Sequence, residues 1–248
     1  NHLAISLQPV NTIAGEDILI NVSVLDVFNN LAPGTPVNVS IDSAINPGGW
    51  PLLTASSLTK TTVAGVASWG AADDLRIAAI NGYRLVASGL SAPVQTNDFN
   101  ITPAAPSALR FVQQPTNAVQ KAAINPSPTV EVIDVFGNRA ASNAAIVLAL
   151  LTAPCGGTVS GGTGGAVDGL ATFNALMIDT TCTGNVLGAS SGTLVGVSSD
   201  LFNITAIAGA AAACGACGPG ATMTLIPLML IHLGLRRRSA RRRISRKK

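Results

Sequence analysis

The sequence predicts an all-β protein built from two similar halves. The string V-L-D-V-F-N-N at Val24–Asn30 returns almost unchanged as V-I-D-V-F-G-N at Val132–Asn138. Ahead of both strings, apolar residues alternate with polar ones, which is the period of a strand with one buried face. Gly (25) and Pro (14) are frequent in the 248 residues. Many short strands joined by turns account for that composition.

The strand patterns of the two halves match in order along the chain. The matched segments are Leu3–Pro9 with Leu109–Pro115, Val37–Ile41 with Ile146–Leu150, Gly65–Trp69 with Gly169–Phe173, Leu75–Ile77 with Leu176–Ile178, Gly82–Ser88 with Gly184–Ser190, and Phe99–Thr102 with Phe202–Thr205. About seven short strands per hundred residues is the density of an immunoglobulin-like β-sandwich. The sequence therefore predicts two tandem sandwiches of this kind.

A proline-containing segment, Thr102–Ala108, separates the halves and predicts a semi-stiff spacer. The predicted domains are residues 1–103 and 107–206, each folding on its own core, followed by a tail over 207–248. Within each half, the repeated aspartate, Asp26 or Asp134, follows the strand directly. Because a buried unpaired charge is costly, we expect each carboxylate to cap the following turn by accepting its N–H groups.

Charge is distributed unevenly along the chain. Nine of the fifteen basic residues lie in the last thirteen positions, whereas residues 1–235 hold six basic and twelve acidic residues, a formal charge of −6. The high pI thus reflects a basic tail. The folded part is acidic, which argues against nucleic acid as a partner.

Catalytic and cofactor-binding patterns are missing from the sequence. The two histidines, His2 and His232, lie far apart, so neither half can assemble a Ser-His-Asp or Cys-His arrangement. The acidic pair Asp73-Asp74 is expected to be solvated on a loop. The run Gly156–Gly165 lacks the lysine and helix of a phosphate loop and is interpreted as a strand connection. We therefore predict no enzyme activity and no cofactor.

The residues bear differently on calcium, ligand and disulfide sites. Calcium could bridge tandem sandwiches through carboxylate oxygens, but no Asp or Glu lies between Asp98 and Glu131, so no metal site is predicted. Of the two Trp and one Tyr, only Trp50, on a glycine-rich loop, is expected at the surface, and it is the candidate contact for a glycan or protein ligand. Cys155 and Cys182 are predicted to form a disulfide in an oxidising compartment, with two free thiols as the alternative.

The ordered motifs of both halves resemble the bacterial immunoglobulin-like repeats, invasin- and filamin-type, of large secreted adhesins. The resemblance covers residues 1 to about 206: a strand ending in Gln-x-Pro or Gln-Pro, then V-x-V-x-D-x-x-G-N, G-x-A-x-F, Y-x-L-x-A-S and F-N-I-T. Asn185 departs from it where the first half has Tyr83, and Asn29 replaces the turn glycine. The resemblance implies an exported, bacterial, cell-surface protein.

The tail combines a Cys/Gly motif, an apolar segment and an arginine cluster. Residues 221–235 predict a short hydrophobic helix of roughly 22 Å, below the roughly 30 Å of a bilayer core. The basic residues that follow act as a membrane stop, beginning with Arg236, Arg237 and Arg238.

This order resembles the tripartite C-terminal sorting tails of bacterial surface proteins, from which Pro227 and His232 depart. The resemblance implies membrane and sorting machinery as partners, with processing or lipid attachment at Cys214 or Cys217 in the motif Cys214, Gly215, Cys217, Gly218. A permanent tail anchor, a Cys-x-x-Cys metal or redox pair and a nucleic-acid-binding arm are the alternatives.

The sequence as a whole thus predicts a non-catalytic structural or adhesive repeat region of an exported surface protein. It would act as a spacer rod that is sorted or anchored through its tail. The alternative is a carbohydrate- or protein-binding adhesin module that uses the loop around Trp50.

Overall fold

The computed structural model describes residues 1–46, 49–90 and 92–207. Its regular structure is β-strand, apart from two 3-10 segments, Ser43–Ile45 and Ala71–Asp73. No helix in these ranges is long and apolar enough to cross a bilayer. The predicted C-terminal helix, residues 221–235, lies outside the described residues.

The described residues of the N-terminal repeat (residues 1–103) form ten short strands. They are β1 (His2–Leu7), β2 (Thr12–Ile13), β3 (Ile20–Leu25), β4 (Pro36–Ile41), β5 (Thr59–Thr61), β6 (Val66–Trp69), β7 (Asn81–Tyr83), β8 (Leu85–Ser88), β9 (Val94–Gln95) and β10 (Phe99–Thr102). One sheet has the order β1-β3-β6, the second β5-β4-β8-β9, and β2-β10-β7 forms a third group. Since β7 and β8 are consecutive parts of one chain segment, as are β9 and β10, the last two groups make one side of a sandwich.

Eleven strands form the C-terminal repeat (residues 107–206). They are β11 (Ala108–Gln113), β12 (Ala118–Val119), β13 (Thr129–Ile133), β14 (Ala145–Thr152), β15 (Val159–Ser160), β16 (Thr163–Gly165), β17 (Leu170–Thr172), β18 (Met177–Ile178), β19 (Cys182–Ser190), β20 (Val197–Ser198) and β21 (Phe202–Thr205). The sheets run β11-β13-β17 and β12-β21-β19-β14-β16, with β20 beside β19. This is the order of the N-terminal repeat.

Between the strands of the described residues, pairing is antiparallel except at one place in each repeat. There β2 pairs parallel with β10, and β12 pairs parallel with β21. An isolated parallel bridge also joins Ala108 to Val195. A three-stranded sheet facing a sheet that the first segment joins in parallel is consistent with an immunoglobulin-like β-sandwich. In the described residues each sheet draws its strands from one repeat alone.

Two separate apolar cores lie between the sheets. The first is centred on Trp69, Tyr83 and Phe99, and the second on Phe173 and Phe202, all of them almost completely buried. Trp69 and Phe173 come from matched strands, so the same core position holds the large side chain in both repeats. The period-two pattern brings these residues inward because alternate side chains of a strand share one face.

Strand β13, in the middle of its sheet, departs from the alternation of buried and exposed residues that the sequence predicted. Glu131, between the core residues Val130 and Val132, is only 4% exposed. Its carboxylate accepts hydrogen bonds from Arg110 Nε at 2.6 Å and Arg139 Nε at 3.1 Å. The two guanidinium groups cover it, so this strand is buried on both faces. The expectation of one buried face was wrong here.

The run Gly156–Gly165 also differs from its interpretation as a plain connection. It contains β15 and β16, which pair with β18 and β14 respectively. Gly162 and Gly164 allow this, because a Cβ at Gly162 would lie 2.4 Å from the Leu148 carbonyl oxygen, and one at Gly164 3.1 Å from the Phe173 ring. The glycines thus permit close strand approach rather than a flexible loop.

Candidate functional site

The repeated turn of the C-terminal repeat, residues 134–138, is held by its aspartate. Asp134 Oδ1 accepts hydrogen bonds from the backbone N–H groups of Phe136 and Asn138, both at 2.9 Å. Asn138 Nδ2 donates to Asp134 Oδ2 at 2.9 Å. Gly137 has the left-handed φ of +85° that the turn requires. All these bonds lie within the turn, so its shape does not depend on contact with the other repeat.

Asn138 joins this turn to the N-terminal repeat. Its Nδ2 donates to the Ala78 carbonyl oxygen at 2.7 Å, and its Oδ1 accepts the Ile80 N–H at 3.3 Å. Both partners lie in the connection before β7. One side-chain amide therefore satisfies a donor and an acceptor of the neighbouring repeat, which defines the orientation of the contact as well as its position.

Phe136 makes the apolar part of the same contact. Its ring lies against the backbone of Gly15, where an added Cβ would stand 2.1 Å from ring atom Cζ. Gly15 has a φ of +83° and follows β2. Only glycine leaves room for the ring here. We call Phe136 and Asn138 the plug, and Gly15, Ala78 and Ile80 the socket.

The linker between the repeats is tied to the same aspartate. Ala104 N donates to Asp134 Oδ2 at 3.0 Å, and the Asp134 side chain is almost fully buried, with 1% of the residue exposed. Burial opposes ionisation of Asp134, but the hydrogen bonds from Asn138, Ala104 and Phe136 outweigh it, so its pKa lies below the ordinary value. The predicted turn cap thus also anchors the chain that enters its repeat.

The matching turn of the N-terminal repeat has the same internal bonds and no such neighbour among the described residues. Asp26 Oδ1 accepts the N–H groups of Phe28 and Asn30, both at 2.8 Å. The hydrogen bonds from Asn30 lower the pKa of Asp26. Phe28 is 80% exposed, against 44% for Phe136. The two aspartates therefore cap equivalent turns in different surroundings.

The two cysteines of the C-terminal repeat are bonded to each other. The Sγ atoms of Cys155 and Cys182 are 2.11 Å apart and the Cα atoms 5.7 Å. Cys155 lies in the turn after β14, and Cys182 begins β19. The bond ties the end of one core strand to the start of its neighbour. Asn185, three residues into β19, replaces Tyr83 of the N-terminal repeat, whose hydroxyl donates to the Ala79 carbonyl oxygen at 3.1 Å.

The acidic pair Asp73-Asp74 is not free in solvent, contrary to the expectation. Asp73 contacts Lys60 Nζ, accepts a hydrogen bond from Ser56 Oγ at 2.8 Å and another from Gly70 N at 2.8 Å. The bonds from Lys60 and Ser56 lower the pKa of Asp73 to about 2. Asp74 pairs with Arg76 instead. The two carboxylates thus serve separate local networks and do not face a common site.

Trp50 lies at the surface, as the sequence predicted. Its role as a ligand contact stays a prediction. The residue is 49% exposed. The Asn46 side chain brackets its backbone: Asn46 Oδ1 accepts the Trp50 N–H at 3.0 Å, and Asn46 Nδ2 donates to the Trp50 carbonyl oxygen at 2.9 Å. These two bonds hold the backbone of Trp50, from which the indole extends to the surface.

In the described part of the chain, no group of three or more His, Cys, Asp or Glu residues could hold a metal ion. The predicted sorting residues Cys214, Gly215, Cys217 and Gly218 and the stop residues Arg236, Arg237 and Arg238 lie outside the described residues.

The contact between the repeats is the feature that sequence reasoning missed. The sequence shows that the turn string is repeated. The socket, however, consists of a glycine and two backbone groups, and these have no sequence motif. One signal was present: with the offset of 106 residues that relates Leu3 to Leu109, Gly15 falls opposite Lys121. A glycine at a left-handed position in one copy only indicates a close approach in that copy.

Comparisons with known proteins give distant structural likenesses. No protein-family model matches the chain, and no curated protein sequence matches it. An invasin described as a bacterial integrin-binding protein is 14% identical over 83% of this chain, with a TM-score of 0.34. The Escherichia coli adhesin FdeC is 15% identical over 84%, with a TM-score of 0.38. Domains 4–9 of the surface layer protein SbsC are 13% identical over 84%, with a TM-score of 0.31.

This chain spans 39%, 63% and 31% of the length of those three structures, respectively. Because every TM-score lies below 0.5, these likenesses carry no argument about activity or partners.

Proposed function

We propose that this chain is a non-catalytic structural repeat region of an exported cell-surface protein, in which tandem β-sandwiches act as a spacer rod. The observation that carries this proposal is the joint between the repeats. A spacer must transmit position from one module to the next, and domains joined only by a linker move relative to each other by default. Here Asn138, Phe136 and Ala104 all connect the modules.

The chemistry of the joint suits a mechanical role better than a binding role. Its polar atoms are paired with each other: Asn138 with Ala78 and Ile80, and Asp134 with the turn and the linker. A ligand site offers unpaired groups to its ligand, whereas a joint satisfies them internally. Asp134 is almost fully buried, so an arrangement that removed the Ala104 N–H or the turn would leave its carboxylate short of partners, which favours one geometry.

The rod proposal is tested by measuring the distribution of distances between the repeats. Spin labels at Val63→Cys and Val167→Cys report on exposed, matched positions of the two repeats, with Cys214 and Cys217 changed to Ser. We expect one narrow distance distribution by pulsed electron paramagnetic resonance. The double variant Phe136→Ala/Asn138→Ala should broaden it, because the linker alone then connects the repeats.

The matched control is Phe28→Ala/Asn30→Ala, which removes the same side chains from the open turn. It should leave the distribution unchanged. A distribution in the unaltered joint as broad as in the Phe136→Ala/Asn138→Ala variant would overturn the rod proposal.

The tail is proposed to sort the protein, and this part rests on the sequence. The order of Cys/Gly motif, apolar segment and arginine cluster supports transient retention in the membrane followed by processing near Cys214 or Cys217. We expect the mature surface product to end near residue 220, and Cys214→Ala/Cys217→Ala to leave it uncleaved. Mass spectrometry of the surface-exposed protein decides this, since an intact arginine-rich end would contradict processing and favour a permanent anchor.

A second candidate function is ligand binding through Trp50. The half-exposed indole supports it, because the Trp50 backbone is held by Asn46 and less of its freedom would be lost when a ligand binds. Fluorescence is selective here, since the other tryptophan, Trp69, is buried. A ligand from an oligosaccharide panel should quench the emission of the unaltered chain and not of Trp50→Phe. If no oligosaccharide of the panel quenches the emission, sugar binding through Trp50 is refuted and the spacer function is the one that stands.

A further inference from the structure

The N-terminal repeat carries a plug of the same construction as the one that forms the joint. The strings at Val24–Asn30 and Val132–Asn138 differ only in Leu25 for Ile133 and Asn29 for Gly137. The Asp26 N–H donates to the Asn30 carbonyl oxygen at 2.9 Å, as Asp134 does to Asn138. Asn29 takes the left-handed φ of +63°. The open turn therefore already has the bonded form that docks elsewhere in the molecule.

The open turn presents the docking side chains to solvent. Val27 and Phe28 are among the most exposed large apolar residues of the described chain. Among the described residues, Asp26 Oδ2 accepts the Asn30 side chain alone, at 3.2 Å, whereas Asp134 Oδ2 also accepts the N–H of the incoming linker. The exposed Phe28 ring and the Asn30 carboxamide, which bonds within its own turn, correspond to the Phe136 and Asn138 side chains of the joint.

A second copy of this chain does not offer a matching socket in its described residues. The socket of the N-terminal repeat is filled by Phe136. At the equivalent place in the C-terminal repeat, Lys121 has a φ of +62° and donates its N–H to Ile178, as Gly15 does to Ile77. A side chain there occupies the space that the ring needs. The C-terminal repeat thus has a plug and a closed socket.

We propose that the turn Asp26–Asn30 is an interaction surface for a further β-sandwich repeat that has glycine at the position of Gly15. Phe28 would lie on that glycine, and Asn30 would pair with the two backbone groups that correspond to Ala78 O and Ile80 N. Such a joint has a direction: Phe28 docks onto the further repeat, whereas Lys121 blocks the equivalent socket position of the C-terminal repeat. This inference rests on the proposed function, because it extends the same joint by one repeat.

The test adds a socket ahead of the plug. Residues 1–106 are fused directly before Asn1 of the full chain, which reproduces the native linker because residue 107 is equivalent to residue 1. The added copy carries Phe28→Tyr so that peptides from the two turns differ in mass. Hydrogen exchange of residues 26–30 in the original copy should slow about tenfold relative to the unfused chain, and Gly15→Lys in the added copy should abolish the effect.

Unchanged exchange of residues 26–30, while residues 134–138 stay protected and the core strands of the added copy exchange slowly, would overturn the proposal. Slowing that persists with Gly15→Lys would overturn it too. Loss of protection at residues 134–138 in the unfused chain would instead refute the rod function.

A second measurement does not depend on folding of the added copy. Ile133→Leu/Gly137→Asn places the string of the open turn in the existing joint. If that string is a competent plug, the Ile80 N–H should remain as protected as in the unaltered chain. Exchange as fast as in Phe136→Ala/Asn138→Ala would show that the string does not dock, and the proposal would fall.

Discussion

The two repeats share a turn sequence and a fold, yet they use the turn differently. In the C-terminal repeat the turn contacts the neighbouring repeat and its buried aspartate binds the linker, whereas in the N-terminal repeat the same turn is open among the described residues. The repeats also differ in their internal bonds. The N-terminal repeat has the Tyr83 hydroxyl bond to Ala79, whereas the C-terminal repeat has Asn185 at that position and a disulfide between Cys155 and Cys182. Duplication has thus preserved the framework, while single residues at the periphery decide how each copy is secured and what it contacts.

The largest difference expected between the repeats comes from the disulfide. Cys155→Ser/Cys182→Ser should lower the free energy of unfolding of the C-terminal repeat by roughly 3 to 4 kcal/mol on the chain-entropy estimate. The N-terminal repeat should unfold as before. Both tryptophans lie in the N-terminal repeat, so fluorescence follows that half, while far-ultraviolet circular dichroism follows both.

The urea transition by fluorescence should therefore stay in place while the dichroism transition moves to lower urea. Reduction of the unaltered chain is the matched control and should give the same shift. A shift of both signals together would mean that the repeats unfold as one unit, and the comparison between them would lose its basis.

A smaller difference is expected at the central strands. Glu131→Ala should cost about 1 to 3 kcal/mol, because a buried carboxylate that accepts two charged hydrogen bonds is lost. The matched change in the N-terminal repeat, Ser23→Ala, removes one hydroxyl bond to Ser6 at 2.9 Å and should cost about 0.5 to 1.5 kcal/mol. Equal costs in urea unfolding would show that the arginines give Glu131 no added stability.

Acid should affect the docked turn more than the open one. The pKa of Asp134 is lowered on folding, so its stabilising contribution is complete above about pH 5 and is lost as pH falls through the folded pKa, below the unfolded value of about 3.9. Asp134→Asn should cost about 1 to 2 kcal/mol at pH 7 and reduce the loss of stability between pH 5 and 2. Asp26→Asn, at the exposed turn, should change both less. Identical acid profiles for the two variants would contradict this.

The smallest effect is expected from the tyrosine corner. Tyr83→Phe removes the hydroxyl bond to Ala79 but keeps the ring against Phe99, whose centroid is 6.4 Å away. It should lower the stability of the N-terminal repeat by about 1 kcal/mol. Thermal unfolding followed by tryptophan emission measures it. An unchanged midpoint would mean that the Tyr83 hydroxyl bond adds no stability to the N-terminal repeat. The C-terminal repeat already folds with Asn185 in place of this tyrosine.

The framework could be predicted from the sequence because it depends on local patterns. Alternation along the strands placed Val22 and Val130 inside, and the repeated strings aligned Trp69 with Phe173. Burial of Glu131 could not be predicted, since it depends on two arginines that come from other positions in the chain. The period of two describes one strand, not the side chains that lie across it.

The joint was beyond sequence reasoning for a related reason. Phe28 and Phe136 occupy the same place in nearly identical strings, so nothing in the strings distinguishes the open turn from the docked one. The difference lies in what faces them, and for Phe136 this is a bare glycine and two peptide groups. The difference between Gly15 and Lys121 indicates a close approach at Gly15, but it does not identify the side chain that makes it.

The disulfide also has a consequence for a chain held under tension at its two ends. Cys155 and Cys182 are 27 residues apart in sequence, and that stretch would measure roughly 90 Å if drawn straight. With the bond intact, an unravelled C-terminal repeat cannot release this length. The two repeats would therefore yield by different amounts under load, with the N-terminal repeat extending fully and the C-terminal repeat stopping short.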